Sequence, residues 1–291
     1  MSLSLTDLTN AITLELSGYT QTQEQASYTT AAITSSATSI PVADASNFSH
    51  GVVEIEDELV YVTTIDRSSN ILTVAPFGRG YGGTTAVAHA INVKAVNSPL
   101  FPRAAIKRAI NETVNALYPD LWQVASATQV LIAGQTSYSL TPTPQVGDIM
   151  DVSYRNPYSL EYAPIRRWKY DKYQDQIVIW DSLPTGYTAY ISYSSPPSTF
   201  ATDASTILST GLPDSCSDVI RLGSIIRLLP YVEIPNSAII AADASFAANA
   251  RISQTSAAAL SRQLYQQFRI RVQEEAARLN QQYPVRVHYT R

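Results

Sequence analysis

Leu5, Leu8, Ile12 and Leu16 recur every three or four residues, which predicts a short amphipathic helix over Leu3 to Leu16 with Thr6 or Asp7 as its cap. A Ser/Thr/Gln-rich stretch from Gly18 to Thr30 then reads as a linker or extended arm. The period next shortens to two. Val52 to Ile55, Leu59 to Ile65, Ile71 to Val74 and Ile91 to Val96 are short β patterns separated by tight turns, and they predict a small antiparallel barrel or sandwich. Pro102 opens a helix carrying Ile106, Ile110, Val114 and Leu117 on one stripe, and Pro119 ends it. Strand patterns return at Val130 to Ala133, Ile149 to Tyr154, Gln176 to Trp180 and Thr188 to Tyr193, and Pro196-Pro197 closes that region. From Pro213 the period is helical again. Val219, Leu222, Ile226 and Leu229 form one stripe; Leu260, Leu264, Phe268, Val272 and Leu279 form another; an Ala-rich stretch from Ala238 to Ala259 lies between them.

These patterns predict an α+β chain: a helical-bundle body, two antiparallel β insertions and an extended C-terminal tail. The expected segments are a helix and linker over 1–25, a β module over 26–98, a central helix over 99–122, a second β region over 123–211, C-terminal helices over 212–283 and a tail over 284–291. Turn-rich β sequence bracketed by helices suits an assembly component better than an enzyme.

Composition sharpens that expectation. Only 15% of the 291 residues are charged, which leaves a polar surface that is cheap to desolvate against partners. The single Cys216 excludes an internal disulfide framework and any multi-cysteine metal site. The first residues lack a signal-peptide pattern, and no run is long and apolar enough to cross a membrane, so a soluble intracellular product with no membrane partner is expected. Charge is unevenly placed: residues 1–100 carry three basic and nine acidic side chains, whereas 251–291 carry seven Arg against Glu274 and Glu275 alone.

Gly78-Arg79-Gly80-Tyr81-Gly82-Gly83-Thr84-Thr85 fits G-x-G-x-x-G and nearly fits a Walker A loop. Thr84 stands where the phosphate-binding Lys belongs, and β patterns flank the loop where a helix should follow, so it reads as a glycine-rich turn using positive φ. His50, His89 and His288 are far apart, without ligand spacing, and read as turn or surface residues. The run Glu54, Glu56, Asp57, Glu58 lacks calcium-loop spacing and reads as a solvated loop with a hairpin turn at Asp57-Glu58. Arg166-Arg167-Trp168-Lys169-Tyr170-Asp171-Lys172-Tyr173 admits two readings, a nucleic-acid patch or an exposed hairpin strand beside Ile177 to Trp180, and the acidic balance of the chain favours the strand. No catalytic residue, cofactor or metal ligand is assigned.

Three segments together resemble the head-to-tail adaptor (connector, or neck) proteins of tailed bacteriophages. They are Gly51 to Ala90, with its R-G-x-x-G-T-x-A-x-x-H motif from Arg79 to His89; Gln176 to Pro197 followed by the Leu212-Pro213-Asp214 lead-in to a helix; and the helical C-terminal region with its loose tail. The resemblance implies a structural virion protein without enzymatic activity, made in the host cytoplasm. It would form a homo-oligomeric ring, dodecameric in most such proteins, under the portal protein. The ring would join capsid to a tail, stopper or nozzle protein and let genomic DNA pass without sequence recognition. Carried onto this chain, Pro284, Val285, Arg286, Val287, His288, Tyr289, Thr290 and Arg291 would dock on the portal. Leu260, Leu264, Phe268, Arg269, Arg271, Val272 and Leu279 would pack the ring helices. Another phage tail or baseplate protein, or a glycan-binding protein using the many Tyr and Trp rings, is the alternative.

Overall fold

In the structure, a computed structural model, residues 2–18, 24–140, 145–156, 161–181, 183–229 and 247–283 are described, with the backbone alone for 247–260. Thirteen strands in three sheets dominate these residues, beside four α-helices: α1 (Leu5–Ser17), α2 (Arg103–Ala116), α3 (Ser217–Leu228) and α4 (Ala247–Gln282). The expected helical-bundle body is therefore wrong. About 30% of the described residues are helical, and the frame is β-sheet. The physical reason is visible in the packing. Two large hydrophobic clusters lie between strands, and much of the strand content is short or built from small polar residues that carry little period-2 signal.

The chain divides into two compact units, each assembled from separated segments. One comprises Thr6–Ile110 and Arg221–Tyr265; the other comprises Met1–Leu5, Asn111–Ile220 and Gln266–Arg291.

In the first unit a six-stranded antiparallel sheet runs in the order β1 (Gln25–Tyr28), β6 (Lys94–Asn97), β3 (Gly51–Ile55), β4 (Glu58–Asp66), β5 (Ile71–Val74), β2 (Ser39–Pro41). Its two outer strands meet. A Thr29–Val42 bridge, with Ala43 N–H donating to the Tyr28 carbonyl at 2.8 Å and Thr30 N–H to Pro41 at 3.1 Å, joins β1 to β2. Ile40, Phe48, Val53, Ile55, Val60, Val62, Leu72 and Ala95 fill the interior, so alternate positions of each strand point to one core. The six strands of this sheet fall between Gln25 and Asn97, and the supposed linker up to Thr30 is in part strand β1.

Glu54 is a buried carboxylate on β3 beside the start of α2. It accepts a 2.5 Å hydrogen bond from Arg103 N–H, one of the N–H groups a helix start leaves without an intrahelical partner. Arg103 also reaches Asp57 at 3.3 Å and Asn10 of α1 at 2.8 Å, and Lys107 meets Asp57 at 2.7 Å.

In the second unit a four-stranded sheet, β10 (Tyr162–Pro164), β9 (Ile149–Arg155), β13 (Thr188–Ser195), β7 (Gln123–Val130), shares one core with a three-stranded sheet, β11 (Trp168–Asp171), β12 (Gln176–Ile179), β8 (Ser137–Ser139). Leu140, Val152, Ile165, Ile177, Ala189, Ile191 and Tyr193 are its most enclosed members. Trp168 to Asp171 is a strand paired with Gln176 to Ile179, as the hairpin reading expected. Residues 3–5, which belong to this unit, pair with 205–207. None of the described helices is long and apolar enough to cross a membrane.

Burial pushes the Glu54 carboxyl up from 4.5 to about 7, and the Arg103 N–H and guanidinium reverse it only in part. An acid whose pKa rises on folding binds more protons in the folded state, so its share of stability is present below about 4.5 and is lost as pH climbs to about 7. Glu54→Gln keeps an oxygen for Arg103 N–H and removes the charge. Denaturant titration of both proteins at pH 5 and pH 8 is expected to show the variant gaining on the parent as pH rises; a constant difference would refute the assignment.

Candidate functional site

The Arg79-to-His89 segment folds over the mouth of the β3–β4 hairpin, and Glu58, the first residue of β4, is its hub. Glu58 Oε1 accepts from Arg79 Nε at 2.7 Å and from Gly80 N–H at 2.9 Å. Its Oε2 accepts from Arg79 Nη2 at 2.8 Å and from Val87 N–H at 3.1 Å, and it lies 2.9 Å from His89 Nε2. The guanidinium places all five of its N–H groups: besides the two on Glu58, it donates to the carbonyls of Thr34 (2.6 Å), Ala37 (3.1 Å) and Val87 (2.7 Å). His89 Nδ1 lies 2.8 Å from Glu56, and its backbone exchanges two 2.9 Å hydrogen bonds with Ile33.

The remaining fixed positions of the motif also have internal tasks. Gly80 and Gly83 adopt φ of 64° and 86°, and a Cβ on Gly80 would stand 2.8 Å from the Thr84 carbonyl. Thr84 Oγ1 accepts from Leu59 N–H at 3.0 Å and donates to the Tyr81 carbonyl at 2.9 Å. The intervening positions face solvent instead: Tyr81, Thr85, Val87 and Ala88 are exposed. Tyr81 stacks on Tyr61 with ring centroids 5.2 Å apart, and Phe77, just before the motif, is 93% exposed.

This geometry explains the false nucleotide signature. Arg79 and the amides of Gly80 and Val87 do cradle an anion, as glycine-rich loops cradle phosphate, but the anion is the chain's own Glu58. Burial pushes the Glu58 carboxyl up, yet the Arg79 fork, the two amides and His89 more than reverse this and leave it at about 2. Two expectations are corrected here. Glu58 and Glu54 are buried, not part of a solvated loop, and the hairpin turn is Glu56-Asp57. His89 is 3% exposed, not a surface residue, because its ring closes the network between two carboxylates.

Of the residues expected to pack ring helices, Leu264, Val272 and Leu279 are buried within the single chain. Leu279 packs with Trp122 and Met150, beside Tyr118 and Tyr283. Arg271 is engaged with Asp218 of α3 at 2.6 Å, with Glu275 at 3.0 Å and with Glu274. Glu275 is itself buried and accepts from Ser215 Oγ and Arg278 Nη1, both at 2.7 Å. Arg269 is exposed beside Ile270, and Phe268 is half-buried. The Leu260 side chain lies outside the described residues, as do Pro284, Val285, Arg286, Val287, His288, Tyr289, Thr290 and Arg291. Among the described residues, no cluster of three His, Cys, Asp or Glu side chains is arranged to hold a metal ion.

The sequence matches no protein-family model and no curated protein.

Removing Glu58 would leave the Arg79 guanidinium buried without its counter-charge, a loss of about 3–5 kcal/mol for a buried pair. Glu58→Ala is expected to lower the denaturant midpoint of the first unit sharply, and Arg79→Lys, which loses the two-pronged fork, to fall between it and the parent. Because the Glu58 pKa falls on folding, its contribution is present above 4.5 and drains away towards about 2. The parent should therefore lose stability over that acidic range more steeply than the alanine variant.

Proposed function

We propose that this chain is a structural subunit of the neck of a tailed bacteriophage, assembling as a ring beneath the portal, joining capsid to tail and surrounding the DNA path. One observation carries the reading. In the motif that resembles phage virion modules, the Arg79, Thr84 and His89 side chains hold their own loop, while Tyr81, Thr85, Val87, Ala88 and Phe77 are exposed. Such a segment is a rigid mount for a contact surface, and exposed aromatic residues on it are what a partner would cover.

Sparse charge is consistent with surfaces covered on assembly. The net charge of −4 fits a conduit, since repulsion between acidic walls and phosphate keeps passing DNA from adhering. Charge polarity along the chain, acidic in 1–100 and basic in 251–291, suits subunits that meet head to tail. On this reading the protein functions within the virion, after synthesis in the host cytoplasm.

The test is assembly. Purified chain mixed with its cognate portal protein is expected to form a ring complex in negative-stain images and native mass measurement. Phe77→Asp should weaken one of its contacts while leaving the fold intact by circular dichroism. A chain that stays monomeric and never binds the portal would sink the proposal.

A further inference from the structure

Sheet edges invite pairing with other chains, and folded proteins blunt them with charge, proline, shortness or closure. Among the described residues, every sheet edge but one is treated in one of those ways. The outer strands of the six-stranded sheet are joined through Thr29 and Val42. Strand β10 has three residues and ends in Pro164, β8 has three residues, and β11 carries Lys169 and Asp171. Strand β7 is the exception. It spans eight residues, Gln-Val-Ala-Ser-Ala-Thr-Gln-Val, without a charge or a proline. It pairs with β13 on one side, and among the described residues no strand lies on its other side. Its solvent face presents Val124, Ser126, Thr128 and Val130, with the two valines 40% and 60% exposed.

An edge of this kind takes an extended segment by strand addition: main-chain hydrogen bonds supply affinity, and alternate side chains supply specificity. The chain itself contains such a segment. After Tyr283 the apolar positions alternate, Val285, Val287 and Tyr289 against Arg286, His288 and Thr290. Tyr283 itself rests on Trp122, ring centroids 6.0 Å apart, and Trp122 immediately precedes β7. Within one copy, the segment thus departs from the start of β7. That permits only parallel pairing, the weaker ladder, with Pro284 lacking the first donor. A neighbouring copy faces no such constraint.

We infer that the open edge of β7 receives residues 284–291 of a second copy of this chain, as an added strand linking adjacent subunits. The inference rests on the ring reading, and it gives residues 284–291 to a neighbouring subunit in place of the portal docking that the resemblance implies for them. Segment and edge are different surfaces, so the contact is heterologous, and repeated around an axis it closes a ring.

Cysteine pairing tests this in the full-length protein. Cys216 can remain, since burial, with Glu275 and Asp218 nearby, pushes its thiol up to about 12. Chains carrying Ser126→Cys are mixed with chains carrying Arg286→Cys, His288→Cys or Thr290→Cys, incubated with the portal protein and oxidised. At least one mixture should yield disulfide-linked pairs containing one chain of each kind, well above either variant alone. Linkage confined to single chains bearing both substitutions would overturn the inference in favour of each copy covering its own edge. Rings that form without linkage in all three mixtures would overturn it while leaving the ring reading standing. Failure of the unsubstituted chain to form rings would remove both.

Discussion

The fold of the first unit depends on the Glu58 carboxylate. It is buried, ionised and held by donors from four residues, and the loop that supplies them has no regular structure beyond one short turn. A carboxylate buried without partners would be strongly destabilising, and a guanidinium likewise. Each is tolerable only because the other is in place. The segment 79–89 is thus ordered by a polar lock, while the hydrophobic interior of the sheet does the ordinary work of collapse. Arg79 extends the lock to the Thr34 and Ala37 carbonyls, so an otherwise separate loop answers to the same charge.

Glu54 lies four residues from Glu58, and its environment produces the opposite outcome. Both carboxylates are buried in the same hairpin. Glu58 has a full set of donors and stays charged until the pH falls to about 2, whereas Glu54 has one backbone donor at the start of α2 and holds its proton to near neutrality. Beside its turn, one hairpin therefore carries a carboxylate that is ionised at neutral pH and another that titrates there.

Much of this was legible in the residues and some was not. Strands rich in Val and Ile, such as Val52 to Ile55 and Gln176 to Ile179, announce themselves by alternation; α2 begins just after Pro102 and ends before Pro119, and α3 begins shortly after Pro213. Strand β7 does not, because Ala, Ser, Thr and Gln have little hydrophobic contrast; the expected strand at Val130 to Ala133 begins where β7 ends. The helical-bundle frame failed for the same reason, since long helical stripes are loud and small-residue strands are quiet. In the site, the positive-φ role of the glycines was readable from type alone. The burial of Glu58 and His89 was not, because each looks like a turn residue until Arg79, distant in sequence, is brought to meet it. An Arg and a His flanking a glycine-rich turn, with acids in the preceding hairpin, was the signal available.

Each unit is stitched from segments far apart in the chain: residues 1–5, 111–220 and 266–291 in one, 6–110 and 221–265 in the other. During synthesis the six-stranded sheet can close early, since its core residues all fall between Ile33 and Ala95. Neither unit can be finished until the last helix has left the ribosome. Maturation is thereby timed by translation itself: a nascent chain exposes unfinished surface until its end arrives, and one stopped short of α4 leaves both units open at once.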